Sequence, residues 1–256
     1  MKQAIRALSW ATTILWILVI LFSGTVVYSA VQMAQAGGIE PGEPTATVSN
    51  GTVVTSVPFT IDNVGFYDIS DFEITTHITD ENGTAISSST TPPSSIPKGS
   101  EATITHSISI NLNEISADTL TYMLTNDTVL NIDMLVALTY AHVIPLKISF
   151  NTTMSWGAPL YNLTVGGITI VSPKQVDVSL SFENHAFFSF NGTISLEIWD
   201  SAGVIGSGTT YIPVQPGNRY DLSIPVTITG NPMDAVEVHL QIDTSLFSFG
   251  PMVIAV

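Results

Sequence analysis

From Ala7 to Ile39 the chain carries no charged residue, and this run constrains the fold more than any other feature. The stretch from Trp10 to Val31, at about 1.5 Å per helical residue, is long enough to cross a hydrocarbon core of about 30 Å. Its centre, Ile14 to Phe22, is apolar all round, so a helix here has no polar face for water. Trp10 and Tyr28 fall near its two ends, where amphipathic rings favour the membrane interface. Lys2 and Arg6 on the short N-terminal side place that end in the cytoplasm by the positive-inside rule. The reading is a single-pass protein of the cell membrane, with the lipid bilayer as partner of residues 10–31 and the C-terminal ectodomain extracellular.

The flanks leave three fates for this segment. Ala34-Gln35-Ala36 has the small-x-small form of a signal peptidase site, and cleavage after Ala36 would release the protein. The apolar run exceeds the usual h-region of about 7–15 residues, which favours an uncleaved anchor. Arg6-Ala7-Leu8-Ser9 ahead of the apolar helix resembles the processing site of archaeal type IV prepilins. That resemblance implies a cut before Leu8 and a helix that packs into a filament core.

Lys2 and Arg6 are two of the 6 basic residues, so the rest of the chain holds 4 basic against 21 acidic residues, a formal net charge of −17. Such a surface repels phosphates, which argues against nucleic acid as a partner. There is no cysteine, which removes disulfides, thiolate metal sites and thiol nucleophiles together.

Gly37 to Pro44 holds three Gly and two Pro and reads as a linker that cannot continue the helix. Beyond it, short apolar/polar alternations recur between turn signals, as strands of a sandwich do. Val57, Phe59 and Ile61 lead into Asn63-Val64-Gly65-Phe66-Tyr67; Val178, Leu180 and Phe182 lead into Asn184-His185-Ala186-Phe187-Phe188. Ile78-Thr79-Asp80 before Asn82-Gly83 matches Ile198-Trp199-Asp200 before Ala202-Gly203. Pro97-Lys98-Gly99 matches Gln215-Pro216-Gly217, the strand Ile104 to Ile110 matches Leu222 to Ile228, and Pro145 to Ile148 matches Pro251 to Ile254. The first copy has extra residues before its last landmark. There Leu112, Ile115, Leu120, Met123 and Leu124 suggest a short helix. The expected organisation is a helix over 1–36, a linker over 37–44, and antiparallel β-sandwiches over 45–150 and 151–256, each long enough to own a core.

The aromatic corner after Asn, the Asp turn, the Pro/Gly break before a long alternating strand and the late Pro-led strand resemble the LEA14-type (water-stress, WHy) domain. That family is an immunoglobulin-like sandwich also found in archaeal surface proteins. The family's usual Asn-Pro is Asn63-Val64 in one copy and Asn184-His185 in the other. The resemblance implies a fold class, all-β with two tandem immunoglobulin-like sandwiches behind a transmembrane helix, and no active-site residues.

The strongest local chemistry is glycosylation. Six Asn-x-Thr sequons occur, at Asn50, Asn82, Asn126, Asn151, Asn162 and Asn191, where chance would supply about three. Asn50, Asn82 and Asn191 precede Gly, placing them at turns where a sugar fits. Asp80-Glu81-Asn82 clusters oxygen ligands, but the matching Asp200-Ser201-Ala202 keeps only the turn-forming Asp. A hairpin turn is therefore expected rather than a calcium site. The histidines His77, His106, His142, His185 and His239 have no zinc-ligand spacing. Gly206-Ser207-Gly208 lies in a hairpin, not in a nucleophile elbow. No enzyme, cofactor or metal is expected. Consecutive Phe187 and Phe188 on a strand must face opposite sides. The function expected is a structural spacer or adhesion module of the cell envelope that contacts other envelope proteins or copies of itself. The alternatives are a pilin-like subunit and an anchored module that binds a sugar or envelope polymer.

Overall fold

A computed structural model describes residues 2–35 and 38–255, with helix side chains described from Thr12 to Ser29 and at Gln32. The long apolar run is one helix, α1 (Lys2–Gln35). Within it Thr12–Ser29 is long and apolar enough to cross a membrane, a test that a signal sequence also passes. Arg6, Ala7 and Leu8 lie on this helix, with side chains outside the described residues. Ala36 lies outside the described residues altogether.

Among the described residues, the regular elements that follow are all strands apart from one short helix and one 3-10 turn. The first copy runs β1 (Ile39–Pro41), β2 (Thr45–Ser49), β3 (Thr52–Asp62), β4 (Ile69–Thr79), β5 (Ala85–Thr90), β6 (Ser94–Ile96) and β7 (Glu101–Asn111). It continues with α2 (Ala117–Thr125), β8 (Thr128–Tyr140) and β9 (Ile144–Trp156). The second copy comprises β10 (Tyr161–Ser172), β11 (Gln175–Glu183), β12 (Phe190–Trp199), β13 (Val204–Val214), β14 (Arg219–Ile228), β15 (Glu237–Thr244) and β16 (Ser248–Ala255).

The pairing repeats strand for strand. In the first copy β3 pairs with β2 and β7, β4 with β5 and β8, and β8 with β9, all antiparallel. In the second, β11 pairs with β10 and β14, β12 with β13 and β15, and β15 with β16. Each copy is thus an immunoglobulin-like sandwich of two faces: in the first, a four-stranded sheet of β1, β2, β3 and β7 and a five-stranded sheet of β4, β5, β6, β8 and β9; in the second, β10-β11-β14 and β13-β12-β15-β16 of one seven-stranded sheet. In the second copy Gly206 and Ser207 of β13 also pair with Ile228 and Thr227 of β14, joining the faces along one seam. Alternation explains the core: Val176, Val178, Leu180 and Phe182 of β11 are buried against Ile194, Leu196 and Ile198 of β12 and Val238, Leu240 and Ile242 of β15.

Two boundaries differ from the sequence reading. Ile39–Pro41, in the stretch read as a linker, pairs with the end of β3, and Gly42 N donates to Pro58 O at 2.7 Å. Proline is tolerated there because β1 is an edge. β9 runs through residue 150, the expected domain boundary, to Trp156, because its pairing with β8 continues to Trp156↔Thr128.

The first copy is less tightly closed than the second. Its core splits into a cluster around Ile61, Ile69, Phe72 and Tyr140 and another around Val53, Ile110, Leu130 and Trp156, which is continuous with the second copy. In the first copy the imidazole of His106 is buried on β7, with Nε2 2.9 Å from the Thr76 hydroxyl. Desolvation pushes its pKa below the ordinary histidine value.

Candidate functional site

The corner after β3 is built around Asn63, which is fully buried. Its backbone N–H donates to Ser100 O at 3.0 Å and its carbonyl accepts from Gly99 N at 2.7 Å. Its side-chain amide donates to Tyr67 O and Ile96 O, both at 3.0 Å, and its Oδ1 accepts from Gly65 N at 3.2 Å. Asn184 repeats the arrangement. Its backbone N–H donates to Asn218 O, its carbonyl accepts from Gly217 N, its amide donates to Phe188 O and its Oδ1 accepts from Ala186 N. Gly99 and Gly217 sit at φ 69° and 72°, which a glycine adopts without strain. The Asn is therefore a hub that ties two loops together in each copy. A buried amide suits that task because it offers donors and an acceptor at one point.

Each corner receives the element that precedes its copy. The first receives α1, whose Phe22, Thr25, Val26 and Ser29 recur at helical spacing on one face. Thr25 Oγ1 lies 2.9 Å from the Tyr67 hydroxyl, and Phe66 N donates to Ser29 Oγ at 2.9 Å. The Ser29 hydroxyl also bonds the Tyr140 hydroxyl. Phe22 meets Tyr67 edge-on and Tyr28 stacks on Phe66. Gly65 permits this approach: a Cβ there would lie 2.5 Å from both the Ser29 and Tyr140 oxygens. At the equivalent position the second copy, whose corner receives the end of the first copy rather than α1, has Ala186.

The second corner receives the end of the first copy. His185 N donates to Ala158 O at 2.9 Å, and Ala158 N donates to Asp127 Oδ1 at 2.8 Å. His185 Nδ1 lies 2.7 Å from Asp127 Oδ2 and its Nε2 3.1 Å from Glu183 Oε2, with Tyr161 stacked on the ring. The hydrogen bond to Asp127 is the chief cause that raises the His185 pKa above its ordinary value. Gly157 packs so tightly that a Cβ would lie 2.0 Å from His185 O. Met123 and Leu124 of α2, Trp156, Phe188, Leu246 and Phe247 make the joint apolar within one continuous core. Phe188 is buried in it and Phe187 is 54% exposed; both lie in the bend between β11 and β12 rather than on a strand, so the turn and not strand alternation sets their opposite faces.

The sequence pointed to α2 and to both Asn corners, Tyr67 included, but not to Thr25, Ser29 or Tyr140. Thr25 and Ser29 are two hydroxyls four apart, on a helix that also carries Ser9, Thr12, Thr13 and Ser23, so nothing in the sequence singled them out. The six sequon asparagines, Asn50, Asn82, Asn126, Asn151, Asn162 and Asn191, are all exposed and scattered over both copies. Asn50 and Gly51 form the β2–β3 turn at the joint, where a Gly51 Cβ would lie 3.0 Å from Leu246 O. Asn126 ends α2 and its amide donates to Tyr122 O.

The Asp80 carboxylate accepts from Asn82 N and Thr84 N, and Asp200 likewise accepts from Ala202 N and Gly203 N. Glu81 is engaged by Thr128 and Val129 N. Both carboxylates of the candidate calcium turn are thus committed to their own backbone surroundings. Among the described residues no group of three His, Asp or Glu side chains converges on a metal-sized space. An open depression between β10 and β16, lined by Val165, Ile168, Met233 and Ile254, brings no titratable group together.

Fold and site define a class: a tandem immunoglobulin-like β-sandwich protein carried on an N-terminal apolar helix. No protein-family model matches the sequence, and no curated protein matches it. Among solved structures it is similar to a red sea bream transglutaminase, at 14% identity and a TM-score of 0.30, covering 87% of this chain and 32% of that one. The periplasmic chaperone SfaE gives 13% identity and a TM-score of 0.31, covering 86% of this chain and 100% of that one. A structure titled pT26-6p gives 9% identity and a TM-score of 0.33, covering 89% and 66%. Overlaps this slight carry no argument for kinship or activity.

Proposed function

We propose that the chain is a non-enzymatic, membrane-anchored cell-envelope protein whose two sandwiches form a stiff extracellular stalk or adhesion module. One observation carries this reading: the same Asn-centred corner receives the apolar helix in the first copy and the end of the first copy in the second. Every successive element is thereby clamped rather than tethered. Continuous apolar packing through the joint, together with hydrogen bonds from His185 to Asp127 and Ala158, favours a fixed orientation over independent domain motion. The exposed sequons support glycosylation at several sites, and the Asn corners support kinship with LEA14-type domains. Lys2 and Arg6 support a cytoplasmic N-terminus.

A pilin-like subunit is the second reading. The observation that favours it is that the outer turns of α1 pack on the first copy while Ile14 to Leu21 stay bare, as a helix that meets its neighbours in a filament core would. Intact mass of the deglycosylated protein taken from membranes separates the readings. A start near Met1 supports the anchor. A start at Leu8 with filaments in micrographs would replace it with the pilin-like subunit, and a start at Gly37 would make the protein secreted.

A further inference from the structure

The docked helix leaves too little bare length to cross a bilayer unaided. The first copy packs beside α1 from Phe22 outward, through Thr25 and Ser29. The uncharged part ahead of that contact runs from Ala7 to Leu21, about 15 residues or 22 Å at helical rise. A hydrocarbon core of about 30 Å exceeds that by about 8 Å.

The end of the first copy that faces the helix is rimmed with uncovered apolar side chains. Val64 and Phe66 of the corner are 37% and 49% exposed, and Val143 of the β8–β9 turn is 65% exposed. Corner and turn are neighbours, since Ala141 N donates to Asp68 O at 3.1 Å. Beside them on the helix, Val27 and Tyr28 are also exposed. The repeat supplies the comparison. In the second copy the turn between the last two strands carries Leu246 and Phe247, both buried in the joint with the first copy. The first copy turns the equivalent loop toward the helix, where no other described residue covers Val143.

We propose that the outer face of the bilayer covers this rim, with Val64, Phe66 and Val143 seated in the boundary between headgroups and acyl chains. This rests on the anchored reading above. Apolar groups of interfacial elements sink about 5–10 Å into that boundary, which is the depth the helix falls short by. Lys98, one of four basic residues beyond the helix, lies exposed in the same rim, its backbone N–H held by Asp68 Oδ1 at 2.8 Å. Its stem is long enough to lift the ammonium to the phosphate level. Tyr67 spans the same boundary, with its ring on Phe22 and its hydroxyl on Thr25.

The absence of cysteine allows a direct test on the full chain in phosphatidylcholine vesicles. Single variants Phe66→Cys, Val143→Cys, Phe187→Cys and Ile17→Cys carry a nitroxide, and collision with oxygen and with a water-soluble nickel chelate reports depth. At residues 66 and 143 the chelate should lose access while oxygen keeps it. Residue 187, the counterpart of 66 one copy further out, should stay open to the chelate. If residue 17 reads as lipid-embedded while 66 and 143 read as aqueous, the rim proposal is overturned and the anchor stands. If residue 17 itself reads as aqueous, the anchored reading fails. Dipolar broadening between labels at 66 on neighbouring copies would make the rim a protein–protein contact and overturn its assignment to lipid.

Discussion

Replacing Asn184 by alanine tests whether one amide holds a whole corner. The substitution removes the bond to Phe188 O at 3.0 Å and the bond from Ala186 N at 3.0 Å, both in fully buried surroundings. Each deserted partner costs about 1–3 kcal/mol, so two give about 2–6 kcal/mol. A water entering the space left by the amide favours the lower half of that range, about 3 kcal/mol, or about a hundredfold in an opening equilibrium. Asn63→Ala strands three partners, Tyr67 O, Ile96 O and Gly65 N, and should cost about half as much again. Hydrogen exchange followed by mass spectrometry on the full chain in detergent measures both. Asn184→Ala should speed exchange of the amides of residues 184–188 and 217–219 about a hundredfold. The first corner, which shares no hydrogen-bond partner with the second, should be unchanged. An acceleration below about fivefold, worth about 1 kcal/mol, would refute the hub argument. So would equal loosening of both corners by either substitution.

Three further outcomes are expected. Gly65→Ala pushes a methyl against the Ser29 and Tyr140 oxygens; it should unclamp α1 and expose the Phe66 amide to exchange while leaving the second corner, which already has Ala186, as it was. The raised pKa of His185 makes its stabilisation of the joint complete below its unfolded value of about 6.5 and lost as pH rises through the folded value. Corrected for the intrinsic rise of amide exchange with pH, exchange at Ala158 and His185 should therefore quicken as pH climbs past the ordinary histidine value, and His185→Gln should flatten that profile; a pH-independent corrected rate in the native chain would contradict it. Among the sequons, Thr128 is buried and bonded to Glu81, whereas Thr84, Thr153, Thr164 and Thr193 are exposed. Glycopeptide mapping should find sugar at Asn82, Asn151, Asn162 and Asn191 and an unmodified Asn126 wherever folding precedes transfer.

Much of the architecture was legible because it rests on periodicity. Val176, Val178, Leu180 and Phe182 announce a strand with one buried face, and Leu120, Met123 and Leu124 announce the buried face of α2. Asn63 and Asn184 were visible as matched landmarks, yet their task was not. An Asn in a loop ordinarily reads as turn chemistry, and here the side-chain partner Ile96 lies 33 residues away. The clamp on α1 was less legible still. Ser29 meets Tyr140 across 111 residues, and a serine in a long apolar helix carries no mark of what it faces. His185 looked like a stray histidine because its main partner, Asp127, belongs to the other copy. β1 was hidden by composition: two prolines and three glycines outweigh one isoleucine in any local reading, though pairing along an exposed edge tolerates them.

The extra segment in the first copy sets the grammar of the array. α2 and Asp127 fill the passage from β7 to β8, and they supply Met123, Leu124 and the carboxylate on which the second copy sits. The second copy bridges the same passage with only a 3-10 turn at Pro232–Asp234, and among the described residues it offers no such seat. One copy is therefore an adaptor, with a receptor at its near end and a seat at its far end, and the other carries the receptor without that seat. Grafting the segment between β7 and β8 into the second copy would give it a seat for a further sandwich. The reach of the chain would then lengthen in steps of one sandwich, about 43 Å for a strand the length of β9.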